Sequence, residues 1–207
     1  MNMNMSAPSG LQLFDPVNIV MYLSFFSPII VATCITGLSF VFQNFKGLIY
    51  LAFLLACCVS RNFVYMLSGG SPAYSDGTIC TAIQYSKYGN PTFSTFVFAF
   101  TITYMAYPMF ANSSVNWWTF GSLLAYFLMD IFIKMYNGCT KNASEIVLNT
   151  ILGSAAAAFI VSMMYLGGSG KYLFFNETSS DKNVCYKPDK QTFKCSVYKN
   201  GELVSTL

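Results

Sequence analysis

Histidine is missing altogether, and charge is scarce: Asp, Glu, Lys and Arg make up 9% of the 207 residues, against about 25% in ordinary soluble proteins. Without histidine the chain lacks the commonest general base and the commonest metal ligand. Hydrolytic chemistry built on imidazole is thereby excluded. No nucleophile–base pair, metal-ligand cluster or dinucleotide fingerprint is present in the sequence. Gly168-Ser169-Gly170-Lys171 has the look of a phosphate loop. It fails as one, because Tyr165 stands where the first glycine is required and Tyr172 where Ser or Thr is required. The chain is expected not to be an enzyme and to use no cofactor or metal. Its net charge of +3 is scattered, which gives no basic patch for nucleic acid. Residues 1–15 hold no Lys or Arg, so the basic region of a secretory signal is missing.

Apolar sequence fills the space that charge leaves. Hydrophobic residues make up 55% of the chain and mean hydropathy is +0.50. The apolar residues gather in stretches over about 17–42, 47–67, 92–110, 117–135 and 146–166. A hydrocarbon core about 30 Å thick takes roughly 20 apolar residues in a helix. A helix of a soluble domain carries an apolar stripe, whereas these stretches are apolar all round. The expected fold is an all-α membrane protein of about five transmembrane helices. It comprises a flexible N-terminus over 1–16, a helical bundle over 17–167 with a 68–91 loop, and a polar tail over 168–207. Pro28 should kink the first span. A short interfacial helix is expected over 79–85. Gly153 and Ala157, four apart in the fifth span, are helix-packing candidates because small residues let helices approach closely.

The tail carries Lys171, Lys182, Lys187, Lys190, Lys194 and Lys199 among four acids. Asn200-Gly201 is a two-residue hairpin signal, and Pro188-Asp189 a second turn signal. A small antiparallel β meander over about 183–205 follows, with Val204 opposite Val197 and Cys185 opposite Cys195. A sheet that small usually needs a staple. A Cys185–Cys195 disulfide fits; a pair of reduced thiols is the alternative. A disulfide there would put the tail in an oxidising compartment. The sequon at Asn176 leans the same way, toward an inward N-terminus and an outward tail.

Ionisable residues near or within spans are functional candidates by default. Here they are Arg61, Asp130, Lys134 and Glu145. Asp130 and Lys134, four apart, share a helix face and could pair; Arg61 could snorkel or reach Asp130 from a neighbouring helix. An ion channel or transporter using Arg61, Asp130 and Lys134 is the alternative function.

Several stretches together resemble a small multi-span virion membrane protein of the large DNA viruses that infect algae. They are Cys80-Thr-Ala-Ile-Gln-Tyr-Ser-Lys-Tyr-Gly-Asn-Pro-Thr-Phe, Asn116-Trp-Trp, Gly167-Gly-Ser-Gly-Lys-Tyr-Leu-Phe-Phe-Asn and Lys190-Gln-Thr-Phe-Lys-Cys-Ser-Val-Tyr-Lys-Asn-Gly-Glu-Leu. The resemblance carries no functional residue across. It implies a structural, minor-capsid-associated protein in the internal membrane of a virion, derived from a host membrane. Its partners would be the lipid bilayer and, through the tail, capsid or other virion membrane proteins. Homo-oligomerisation is left open.

Overall fold

The computed structural model describes residues 16–67, 83–113, 115–140 and 142–173, and the backbone of 196–199 and 202–206. Its first part is helical: α1 (Pro16–Phe25), α2 (Ser27–Val41), α3 (Lys46–Leu67), α4 (Phe93–Ala111), α5 (Trp117–Tyr136) and α6 (Ala143–Leu166). A 3₁₀ turn over Gly170–Tyr172 follows α6. The helices α3, α4, α5 and α6 are each long and apolar enough to cross a membrane; counting the bent pair α1–α2 gives five.

Burial divides the spans into a centre and a surround. Along its membrane-length stretch α4 is 78% buried, whereas α3, α5 and α6 bury 22%, 17% and 22%. A helix that is apolar all round belongs either in a core or against lipid, and here both cases occur. Phe98, Phe100, Tyr104 and Met109 of α4 are fully buried. The outer helices expose Leu55, Val59, Leu128, Phe132, Ile151 and Phe159. Trp117 and Trp118 lie exposed at the start of α5, the position of an interfacial aromatic belt.

The closest approach is between α4 and α6. Asn149, Gly153, Ala157 and Val161, each four residues from the next, form the buried stripe of α6. A Cβ on Gly153 would sit 2.5 Å from the Phe96 carbonyl oxygen and 3.1 Å from the Ala99 Cβ. On the other flank, the Tyr50 hydroxyl of α3 meets Thr101 Oγ1 of α4 at 2.6 Å.

The first span departs from a single kinked helix. It breaks at Phe26, with α1 and α2 at 74°. Pro28 lies in the first turn of α2, where its missing N–H does no harm. The cause of the break also lies outside the helix. The α1 carbonyl of Leu23 accepts from the Tyr126 hydroxyl at 2.7 Å, and that of Phe25 from the Tyr85 hydroxyl at 2.9 Å. At 15 residues, α2 covers about 22 Å and does not span the bilayer unaided.

Residues 83–85 are irregular, with bends at Ile83 and Tyr85, and do not end an interfacial helix; 79–82 lie outside the described residues. In the tail, β1 (Ser196–Lys199) pairs antiparallel with β2 (Glu202–Thr206) around Asn200-Gly201. The register differs from expectation: Val197 pairs with Ser205 and Tyr198 with Leu203, so Val204 is the extra residue of an irregularity that two-residue turn arithmetic does not foresee. The expected first strand, with Cys185 and Cys195, lies outside the described residues, as does the N-terminal segment 1–15.

Replacing Gly153 with Val should push α6 off α4 and cost about 1–3 kcal/mol, the range for overpacking. Gly121, with nothing within 4 Å of its Cβ position, should accept Ala without loss. Thermal unfolding in detergent would separate the two; equal midpoints would contradict the close packing.

Candidate functional site

The buried charged side chains, Asp130, Lys134 and Arg61, collect at one end of the bundle, where α3 and α5 finish and α4 and α6 begin. They form neighbouring clusters joined through the first turn of α4.

Asp130 is the centre of one. Its side chain is fully buried, on the inward face of α5 with Phe127, Ile133 and Lys134. Oδ1 accepts from Ser24 at 3.0 Å and Ser27 at 2.9 Å, on either side of the break between α1 and α2. Oδ2 accepts from Ser94 of α4 at 2.6 Å. Lys134, one turn on, lies 3.0 Å from Oδ1 and 3.1 Å from Oδ2. Its ammonium also donates to Ser94 Oγ. A buried carboxylate persists where it is paired and its remaining lone pairs are used. Asp130 meets both conditions, and in doing so joins α1, α2, α4 and α5.

Arg61 is the centre of the other. It is 4% exposed and does not pair with Asp130. Its Nε donates to Asn149 Oδ1 of α6 at 2.8 Å, and Nη2 to the Gly89 carbonyl at 3.0 Å and Thr92 Oγ1 at 3.4 Å. The guanidinium lies over Tyr65, 4.7 Å from the ring centroid, and 5.5 Å from that of Phe93. The rings supply the attraction for a desolvated cation that a carboxylate supplies to Lys134. Asn149 completes the set: its Nδ2, with two hydrogens to give, lies 2.8 Å from the Glu145 carbonyl, 3.0 Å from the Tyr65 hydroxyl and 3.2 Å from Thr92 Oγ1. Glu145 itself is exposed in the first turn of α6, with Asn142 at the N-cap.

A loop over residues 83–92 closes this end. Asn90 organises it: Oδ1 accepts from the Tyr85 and Ser86 N–H groups, and Nδ2 donates to the Ile83 carbonyl. Gly89 takes φ +56°, a conformation that suits glycine, and so turns its carbonyl to Arg61. Tyr85 stacks on Phe93 with centroids 5.4 Å apart. Burial, with Asp130 adding to it, holds the Tyr85 phenol above its ordinary pKa. The hydroxyl therefore stays protonated and available to the Phe25 carbonyl. Beneath the loop a small cavity is lined by Tyr85, Asn90, Ser94, Lys134 and Cys139, among others.

No family model, curated protein or solved structure matches this chain.

Of the residues singled out from sequence, the structure brings Asp130 and Lys134 together, keeps Arg61 with other partners, and places Gly153 and Ala157 in the α4–α6 contact. Sequence reading missed Asn149, Ser24, Ser27, Ser94 and Thr92. The usable signal was there: Asn149 heads the same four-residue stripe as Gly153 and Ala157, and Ser24 and Ser27 flank the span's weak point. Among the described residues no group of His, Cys, Asp and Glu could hold a metal.

Changing Asp130 to Asn should cost about 3–5 kcal/mol, because it leaves the Lys134 ammonium buried and uncompensated. Adding Lys134→Met should recover part of that loss. A double-mutant cycle from unfolding in detergent would read the coupling; simple additivity would contradict the pairing.

A second expectation concerns the loop. Arg61→Leu should speed amide hydrogen exchange over 85–90 while leaving the second half of α6 near its original rate. Uniform acceleration, or none, would show that Arg61 does not hold the loop.

Proposed function

We propose that this chain is a structural membrane protein of a viral particle, anchored by its helices and joined to capsid proteins through the polar tail. The observation that carries the structural half is how the buried charge is spent. Asp130, Lys134 and Arg61 each bond to neighbouring helices or to the closing loop. Such a network fixes how helices sit against one another. The virion half is supported by the resemblance of the loop, Trp-Trp and tail stretches, and by the concentration of lysines after Leu166.

A transport reading has one observation in its favour. A broken helix beside a buried carboxylate, with a small cavity next to its lysine, is how many secondary transporters build a site near the bilayer midplane. Asp130, however, lies two turns from the end of α5, not at its middle.

The test is to count this protein in purified particles before and after detergent removes the lipid, with and without residues 168–207. A structural linker should be abundant, with part of it retained on the stripped capsid only when the tail is present. A trace copy number, or retention indifferent to the tail, would sink the proposal. Proton or cation flux in reconstituted vesicles that is lost in Asp130→Asn would favour transport instead.

A further inference from the structure

The helix α1 is too short to be a span by itself. Its 10 residues cover about 15 Å, half of a hydrocarbon core of about 30 Å. It meets α2 at 74°, so along its length it changes depth by only about 4 Å relative to α2. Its C-terminal end is fixed at the level of Asp130, because Ser24 and Ser27 both donate to Asp130 Oδ1. That level lies inside the membrane. The 20 residues of α5 match the thickness of the core, and Asp130 comes about 9 Å before the end of α5 at Tyr136. The short α2 agrees with this: its length of about 22 Å and the remaining 9 Å or so toward the 83–92 loop together make up the core.

The surface of α1 suits that depth. Ser24 is buried and Met21 and Phe25 are half-buried, whereas Ile19, Val20, Tyr22 and Leu23 are exposed. At about 100° per residue the exposed four cover an arc of roughly 160°. No charged residue occurs in Pro16–Phe25, whereas a helix that lies on headgroups carries a charged face. A helix broken inside hydrocarbon also needs partners for the carbonyls it frees. The Tyr126 and Tyr85 hydroxyls take those of Leu23 and Phe25. We propose that α1 lies in the plane of the membrane, submerged among the acyl chains of the leaflet nearest the 83–92 loop, and that its exposed face is a binding surface for those chains. Acyl chains are the occupant because the face is apolar and sits at their depth. Tyr22 alone brings a polar side-chain atom to it, of the kind that tolerates a membrane interface. The placement holds for whichever membrane houses the chain and does not depend on the virion reading.

The test uses the full chain in phosphatidylcholine vesicles. Trp117→Phe and Trp118→Phe remove the two native tryptophans, and a single one is introduced by Ile19→Trp or by Leu23→Trp. Its fluorescence quenching is then compared across lipids brominated at different depths along the acyl chain. Both variants should be quenched most by the same mid-chain bromines, at depths within about 2 Å of each other. Acrylamide in the buffer should quench both far less than it quenches free tryptophan. An upright helix would separate the two positions by about 6 Å, as Leu148→Trp and Leu152→Trp should show on the exposed face of the spanning helix α6. The proposal is overturned by a full turn of separation within α1, or by strong quenching from the buffer. It is overturned equally if bromolipids quench neither variant, the result expected when a second copy covers α1. Where Ile19→Trp does not fold, Val20→Trp takes its place in the comparison.

Discussion

A carboxylate shut away from water must find its hydrogen-bond donors in the protein around it, and the arrangement of this bundle follows from how Asp130 does so. Coulomb attraction from Lys134 alone does not offset the desolvation of both ions. The hydroxyls of Ser24, Ser27 and Ser94 supply what the ammonium leaves unmet. Those serines sit on α1, α2 and α4, so satisfying one side chain on α5 fixes the positions of the other three helices. In lipid the alternative partner, water, is lacking, and misplacing any of these helices would leave a charge exposed to hydrocarbon. Arg61 imposes a similar condition on α3, α6 and the start of α4 through Asn149 and Thr92.

The four long helices α3 to α6 and their rough limits were legible because apolar length reads directly as span length, whereas the division of the first span into α1 and α2 was not. The partner of Arg61 was not. A charge-complementarity argument sends Arg61 to Asp130, yet the carboxylate's capacity is taken up by Lys134 and the serines. Arg61 uses a neutral amide, backbone carbonyls and ring faces instead. Those partners carry no charge to flag them in a sequence, and two of them belong to a loop whose shape depends on Asn90 and Gly89. Which helix neighbours which was equally hidden, since outward and inward faces of α3, α5 and α6 are similarly apolar. Only the small-residue stripe of α6 marked a contact in advance.

The 83–92 loop shows why one of the resembling stretches is rich in small polar residues. In Tyr85-Ser-Lys-Tyr-Gly-Asn-Pro-Thr, the Tyr85 hydroxyl bonds the end of α1, Ser86 lies 2.6 Å from Asn62 Oδ1, Gly89 meets Arg61 and Asn90 closes the turn. Each is a structural demand of the fold, met by hydrogen bonding and backbone shape.

The break between α1 and α2 bears on the choice between scaffold and transporter. In a transporter the freed carbonyls of a broken helix are left for an ion. Here the Leu23 and Phe25 carbonyls are taken by the hydroxyls of Tyr126 and Tyr85, and the flanking serines point their protons at Asp130. An ion entering this site would have to displace tyrosines anchored in α5 and in the closing loop, and would then meet the Lys134 ammonium already paired with the carboxylate. The same groups that make the site resemble a transport site are thus committed to holding α1 at its angle. That commitment is the physical reason for preferring a scaffold.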